Sequence, residues 1–64
     1  MTGKIKRIVA DRGFGFILGS DKKEYFFHSK ALKNIKFEDL RAEMEVTFED
    51  SEGTKGPRAE DVYV

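Results

Sequence analysis

The stretch of sequence that decides the fold is RGFGFIL, residues 12–18, together with EYFFH, residues 24–28. Both runs are rich in aromatic residues. Between them lies GSDKK, residues 19–23, whose glycine, serine and aspartate favour a turn. Aromatic runs bounded by such residues are typical of strands. The stretch therefore predicts two antiparallel strands joined by a short turn.

Alternation along the two strands divides their side chains between an interior and an outer face. Successive side chains of a strand point to opposite faces, so Gly15 opposes Phe14 and Phe16. Only one face can fill the interior of a small barrel, and a glycine suits a crowded interior. We therefore predict an interior that contains Ile5, Ile17, Tyr25, Phe27, Val46 and Phe48. The predicted outer face carries Phe14, Phe16, Phe26 and His28.

Three further strands are predicted outside this hairpin, at residues 4–9, 44–49 and 58–64. The second of them alternates strictly, with Val46 and Phe48 on one face. Five short strands, three before a long connection and two after it, predict an all-β fold. The expected architecture is a small, closed or nearly closed antiparallel barrel, and the length of the chain predicts one domain over residues 1–64.

Two longer connections join these strands, at residues 29–43 and 50–57. Residues 29–43 fit either a longer helix or a loop that carries a helical turn, and Ser29 is the predicted N-cap of that turn. Residues 50–57, with two glycines and the only proline, are predicted as a polar loop.

The composition excludes several classes of protein. The 64 residues contain no cysteine, so disulfides and thiolate-bound metals are excluded. The chain also lacks the apolar run, roughly 18 residues or more, that a membrane-spanning helix needs. We therefore expect a soluble, cytoplasmic protein with no membrane partner.

Net charge is zero, but the charges are unevenly distributed along the chain. Residues 1–36 hold nine basic and three acidic residues, a net of +6, whereas residues 37–64 hold three basic and nine acidic residues, a net of −6. Such asymmetry indicates a surface that faces a polyanion. The alternative is that the two halves attract each other and solvate the surface.

An outer row of three phenylalanines and a histidine is costly for a soluble protein unless something covers it. Basic residues accompany the row in sequence: Lys4, Lys6, Arg7, Arg12 and Lys30. Flat rings with a basic rim suit a single-stranded nucleic acid, whose bases stack on the rings while cations follow the phosphates. A duplex hides the faces of its bases. The alternative is that the rings pack under residues 29–43 or in an oligomer interface.

Residues 12–17 resemble the first ribonucleoprotein motif of the cold-shock domain, and residues 24–28 resemble the second. The likeness continues through Gly3–Lys6, Val46–Glu49 and Gly53–Ala59. The resemblance implies a five-stranded Greek-key barrel of the OB type. It also implies a protein that binds single-stranded RNA and DNA with low sequence preference and acts as a nucleic-acid chaperone, without a cofactor.

Transferred position by position, the resemblance assigns base stacking to Phe14, Phe16, Phe26, His28 and Phe37. It assigns backbone contacts to Lys4, Lys6, Arg12 and Lys55, and we place Lys30 on the same rim. The family usually has a tryptophan where this chain has Arg7, and often an aromatic residue at Ser29. A guanidinium stacks on bases and pairs with phosphate, so Arg7 is counted among the stacking residues.

Catalysis is not expected. His28 is the only histidine, and a lone imidazole is a poor catalyst. The acidic residues lack the spacing of a calcium loop. No catalytic residue, metal site, cofactor or small-molecule substrate is therefore predicted. We expect a monomer whose partner is single-stranded RNA or DNA, and dimerisation is left open. The alternative function is a protein-interaction or self-associating barrel that uses the same phenylalanines.

Overall fold

The computed structural model describes residues 1–53 and 56–64 of the chain, and this part contains five strands. The strands are β1 (Thr2–Val9), β2 (Phe14–Gly19), β3 (Glu24–His28), β4 (Glu45–Gly53) and β5 (Gly56–Tyr63). They close into a barrel in the order β1-β2-β3-β5-β4, with β4 paired to β1. The predicted five-stranded barrel of the OB type is confirmed. In the closed order, each described strand has a neighbour on both sides, which is how barrels avoid open sheet edges.

Four of the five strand pairs are antiparallel, and the pair that joins β3 to β5 is parallel. The direction follows from the order of the strands. Since β4 runs antiparallel to β1, the hairpin that follows it returns β5 in the direction of β1 and β3. The β3–β5 pair is registered at Phe26 and Arg58.

The hairpin of β4 and β5 is longer than the sequence pattern predicts. Asp50 pairs with Ala59 and Ser51 with Arg58, so most of the predicted loop at residues 50–57 is strand. That prediction was wrong because main-chain hydrogen bonds hold a hairpin together without apolar side chains. Lys55, a predicted contact for the nucleic-acid backbone, lies outside the described residues.

The core contains every side chain predicted for the interior: Ile5, Ile17, Tyr25, Phe27, Val46 and Phe48 are all buried. Three further residues complete it, Leu40 from the long connection and Ala59 and Val62 from β5. Burial of each larger side chain contributes about 1.5–3 kcal/mol. The interior and outer faces of β2 and β3 are therefore as the alternation predicted.

The connection between β3 and β4 forms two 3-10 turns, Ser29–Ala31 and Phe37–Asp39, and not the longer helix. Leu32, Ile35 and Phe37 pack against the core cluster and add an apolar cover to it. No helix in the described part of the chain is long and apolar enough to cross a membrane.

Ser29 is not the N-cap that the sequence predicted. His28 caps the first 3-10 turn, because its Nδ1 accepts a hydrogen bond from the backbone N–H of Lys30 at 3.1 Å. The backbone of His28 is extended (φ −96°, ψ 154°), so β3 passes directly into the turn and the capping position comes one residue earlier.

A β-bulge in β1 breaks the alternation of that strand. Ile5 pairs with Ile17 and Arg7 pairs with Phe16, so Lys6 is the extra residue. A bulge turns the following side chains to the opposite face. Lys6 and Arg7 are both exposed as a result, and Ile8 is partly buried opposite Gly15. The bulge therefore sets Arg7 beside Phe16 on the outer face.

Candidate nucleic-acid interface

The strand register arranges the outer side chains in rows across the sheet. One row runs Arg7, Phe16, Phe26, Arg58, across β1, β2, β3 and β5. The next row contains Phe14 and His28, which pair with each other. We call Phe14, Phe16, Phe26 and His28 the aromatic platform. Directly paired side chains on one face of a sheet lie within contact distance, so the register alone brings these four predicted stacking residues together.

The three phenylalanine rings contact one another. Ring centroids are 5.9 Å apart for Phe14 and Phe16, 5.3 Å for Phe14 and Phe26, and 6.1 Å for Phe16 and Phe26. The first and third of these pairs meet edge to face, with interplanar angles of 90° and 72°. Such contacts are favourable and hold the rings in defined orientations. All three rings are only half-buried, so part of each remains open to a ligand.

His28 closes the platform with a fixed ring. Its Nδ1 accepts from the Lys30 N–H, and the hydroxyl oxygen of Ser29 lies 3.4 Å from the same nitrogen. In a neutral imidazole with Nδ1 as acceptor, the proton is on Nε2. The imidazole thus combines a flat face with one N–H donor, a suitable pair of groups for a base. Ser29, where an aromatic residue is common in the family, supports this ring instead of stacking.

Phe37, another predicted stacking residue, is not brought into ring contact with the platform. It lies on the second 3-10 turn, and its ring centroid is 6.4 Å from that of the buried Phe27. Within residues 1–53 and 56–64, Phe27 is the aromatic residue that it contacts. Phe37 is half-buried and packs against the core cluster. The structure therefore gives this ring a clear role in packing.

The predicted rim cations that the structure describes are exposed, and one of these four is in an ion pair. The Nζ of Lys6 lies 2.9 Å from Oε2 of Glu24, and both side chains are about half-exposed. Exposed ion pairs contribute about 0–1 kcal/mol, so exchange of this carboxylate for a phosphate costs little. Lys4, Arg12 and Lys30 are also exposed. Lys30 lies next to the platform because its backbone N–H binds His28.

Arg58 is a candidate site residue that the sequence analysis missed. Its Cζ lies over the ring of Phe26, 5.5 Å from the centroid, which is a cation–π contact. The alternation of β5 offered a signal, since Arg58 precedes the buried Ala59 and must point outward. Its neighbour across the sheet was not visible, because the β3–β5 pair joins segments far apart in sequence.

The acidic residues in the described part of the chain do not form a metal site. In the described ranges, no group of three or more His, Cys, Asp and Glu side chains is placed to hold a metal ion. Asp21 supports the turn between β2 and β3, where its Oδ2 accepts a hydrogen bond from the Tyr25 hydroxyl at 2.6 Å. That hydrogen bond lowers the pKa of the Asp21 carboxyl below its usual value of 3.8.

Comparison with known proteins identifies the family. The model of the "'Cold-shock' DNA-binding domain" family matches residues 1–64. Cold shock-like protein CspB of Escherichia coli (strain K12) is 42% identical over 65 residues, which cover 100% of this chain and 92% of that protein. Cold shock protein 2 of Lactiplantibacillus plantarum is 38% identical over 61 residues, 95% of this chain and 92% of that protein.

A third relative, cold shock-like protein CspG of Escherichia coli (strain K12), is 40% identical over 63 residues, 97% of this chain and 90% of that protein. Proteins of this family bind nucleic acids and are not enzymes, which agrees with the expectation that catalysis is absent. The two ribonucleoprotein motifs, the closed five-stranded barrel and the family match all agree, and the chain belongs to the cold-shock domain family.

Proposed function

We propose that the chain binds single-stranded RNA and DNA and acts as a nucleic-acid chaperone. The observation that carries the proposal is the aromatic platform, with Arg7 on its β1 side. It consists of three mutually contacting phenylalanine rings, each partly exposed, beside a fixed imidazole. Bases stack on the rings and on the guanidinium of Arg7. The rim cations Lys4, Lys6, Arg12 and Lys30 contact phosphates, and Lys55 is proposed to do the same.

Stacking explains the expected low sequence preference, because every base has a π face. It also explains a preference for single strands, because the bases of a duplex are stacked on each other. A protein that binds only unpaired strands shifts the equilibrium of a hairpin toward the open form by mass action. The chaperone activity therefore needs neither a cofactor nor nucleotide hydrolysis.

Substitution of Phe16 tests the platform. We expect Phe16→Ala to lower the affinity for a pyrimidine-rich heptanucleotide by about five- to 150-fold, which corresponds to the loss of one stacked base. Fluorescence titration with a labelled oligonucleotide measures the effect. Leu18→Ala is the matched control, because Leu18 lies on the same face of β2, outside the platform, and is 38% exposed. Unchanged binding by Phe16→Ala, or an equal loss in Leu18→Ala, would contradict the proposal.

The chaperone activity has its own test. A short RNA hairpin with a fluorophore and a quencher at its ends reports opening directly. We expect the protein, in excess over the hairpin, to lower the melting temperature, because it binds only the open strand. Phe16→Ala should lower the melting temperature much less at the same concentration. An unchanged melting temperature at saturating wild-type protein would show that binding does not open the hairpin.

We further propose that the protein is a cytoplasmic monomer and that residues 1–64 act as one domain. The platform rings are each half-buried against one another. The large apolar side chains that are most exposed lie elsewhere, at Met1, Leu18, Tyr63 and Val64. Light scattering at several concentrations measures the oligomeric state. A stable dimer that ignores oligonucleotides would favour the self-associating barrel instead.

A further inference from the structure

A groove opens beside the aromatic platform, between the first 3-10 turn and β5. Its volume is about 430 Å³, and its charged and polar lining consists of His28, Lys30, Lys33, Arg58, Glu60 and Asp61. Small-ligand pockets have volumes of about 300–1,000 Å³, so the groove has room for one nucleotide. His28 belongs to the platform and Arg58 contacts it, so the groove continues the platform toward β5.

The walls of the groove are joined by the backbone. The N–H of Lys33 donates to the carbonyl oxygen of Val62 at 2.9 Å, and Leu32 forms a parallel bridge with Val62. These contacts hold the segment after the first 3-10 turn against β5. The groove is therefore largely formed before any ligand arrives, which reduces the entropy that binding must offset.

Two of the three cations in the groove already have carboxylate partners. The Nζ of Lys33 lies 3.4 Å from Oδ1 of Asp61, and the Nε of Arg58 lies 4.0 Å from Oε1 of Glu60. All four side chains are about half-exposed. Exposed pairs of this kind contribute about 0–1 kcal/mol. A phosphate can therefore displace the carboxylates at small cost.

Asp61 has an unusual backbone conformation. Its φ is 50°, in the left-handed region that residues other than glycine adopt reluctantly, although aspartate and asparagine tolerate it best. It lies where β5 shifts register against β4, between the pairs Glu49–Glu60 and Thr47–Tyr63. A bulge with this backbone re-aims its side chains. At this bulge, the side chain of Asp61 reaches across the groove and forms an ion pair with Lys33.

We propose that this groove is a phosphate site for the sugar–phosphate backbone of the strand where it leaves the platform. On binding, the phosphate replaces Glu60 on Arg58 and Asp61 on Lys33, and Lys30 makes a third contact. A guanidinium is well suited to this role, because it pairs with phosphate in a bidentate manner. The two carboxylates thus compete internally with the ligand. The proposal rests on the proposed function, whose binding surface it extends from β1–β3 to β5.

Removal of the internal competitors should strengthen binding. We expect Glu60→Gln and Asp61→Asn each to raise the affinity for a pyrimidine-rich heptanucleotide by up to about five-fold. Asparagine tolerates the backbone of Asp61, so this variant changes charge alone. The control is Glu43→Gln, which removes the same charge from an exposed residue outside the groove. A gain in Glu43→Gln as large as in the groove variants would overturn the proposal.

Removal of the cations should weaken binding. We expect Arg58→Gln and Lys33→Gln each to lower the affinity by about five-fold. The slope of log affinity against log salt concentration should become shallower by about 0.7, one phosphate contact. Lys22→Gln, in the turn between β2 and β3, is the control of equal charge. In the Arg58→Gln background, Glu60→Gln should no longer raise the affinity, because the cation that Glu60 competes for is absent.

The wild-type protein provides an independent readout. In an NMR titration with the heptanucleotide, we expect the amide signals of residues 30–33 and 60–62 to shift along with those of the platform. If these signals do not move, or if Arg58→Gln binds like Lys22→Gln while Phe16→Ala still loses affinity, the groove is not a phosphate site and the platform stands. If Phe16→Ala binds like wild type, the proposed function itself fails.

Discussion

Gly15 lies where the aromatic platform meets the core. Its neighbours along β2, Phe14 and Phe16, point outward, and its own Cα faces the buried ring of Phe27. A Cβ at this position would lie 2.5 Å from the carbonyl oxygen of Arg7 and 2.8 Å from two ring atoms of Phe27. Real Cβ atoms do not approach other atoms so closely. A glycine here lets the bulged β1 and a large core ring approach the same point of β2.

Alanine at position 15 should therefore destabilise the fold. Overpacking of a closely packed interior typically costs about 1–3 kcal/mol, and we expect Gly15→Ala to lower the free energy of unfolding by that amount. Chemical denaturation followed by circular dichroism measures it. A denaturation midpoint equal to that of the wild type would show that β1 and Phe27 move aside freely. Leu18→Ala, three residues further along β2 and on its outer face, should change the midpoint much less.

At the residue scale, the sequence predicted which side chains are inside, because period-2 alternation is a local property. Phe27 and Phe26 were assigned to opposite faces correctly on that basis alone. Arg58 was missed because its importance depends on the Phe26 ring beneath it, a contact between distant segments. The sequence predicts Ser29 as the cap because serine is a common N-cap, but the imidazole of His28 accepts the hydrogen bond.

Among the elements, the turn between β2 and β3 makes a test of pH dependence possible. Asp21 accepts a hydrogen bond from the Tyr25 hydroxyl, which is the main cause of its lowered pKa, and a second one from the N–H of Lys23 at 3.1 Å. A carboxyl whose pKa is lower in the folded state stabilises that state when ionised. This contribution is complete well above pH 3.8 and is lost as pH falls through the lowered pKa of the folded state.

We therefore expect Asp21→Asn to be less stable than the wild type at neutral pH. The difference should shrink as the pH falls below 3.8, because the wild-type carboxyl then becomes protonated as well. Chemical denaturation at a series of pH values measures both curves. Tyr25→Phe, which removes the hydrogen-bond donor, should flatten the pH dependence in the same range. Parallel curves for wild type and Asp21→Asn would contradict this role of the turn.

The elements that the sequence predicted best are those with local signals. β2 and β3 carry aromatic alternation and a turn between them, and their bounds agree closely with the prediction. The bulge at Lys6 was not predicted, because it depends on how β1 fits over Gly15 and the rest of β2. The polar ends of β4 and β5 carry no apolar pattern either, and only their pairing makes them strands.

For the whole molecule, the division of charge means that zero net charge does not argue against a polyanionic ligand. The platform and the rim cations Lys4, Lys6, Arg12 and Lys30 belong to residues 1–36, the half with a net charge of +6. The remaining half contributes β4 and β5, with a net of −6. Interactions between exposed charges are screened within about 8 Å at physiological ionic strength. A ligand on the platform therefore responds mainly to the local positive charge.

Salt should consequently weaken binding despite the zero net charge. For single strands, log affinity falls with log salt concentration at a slope of about −0.7 for each phosphate contacted. If Lys4, Lys6, Arg12, Lys30 and Lys55 each contact one phosphate, we expect a slope of about −3.5. Titrations at several sodium chloride concentrations measure it. A slope near zero would contradict the basic rim, even if stacking on the platform were intact.

Closure of the barrel also has a consequence for its mechanics. Among the described residues, the β3–β5 seam has one registered pair, Phe26 and Arg58, whereas β2 and β3 share five. Segments with few main-chain contacts open most readily in native proteins. A strand stacked on Phe26 with its phosphate on Arg58 would hold both sides of this seam. A bound strand would then reduce how often the barrel opens. The ligand would protect the protein from unfolding at the seam between β3 and β5.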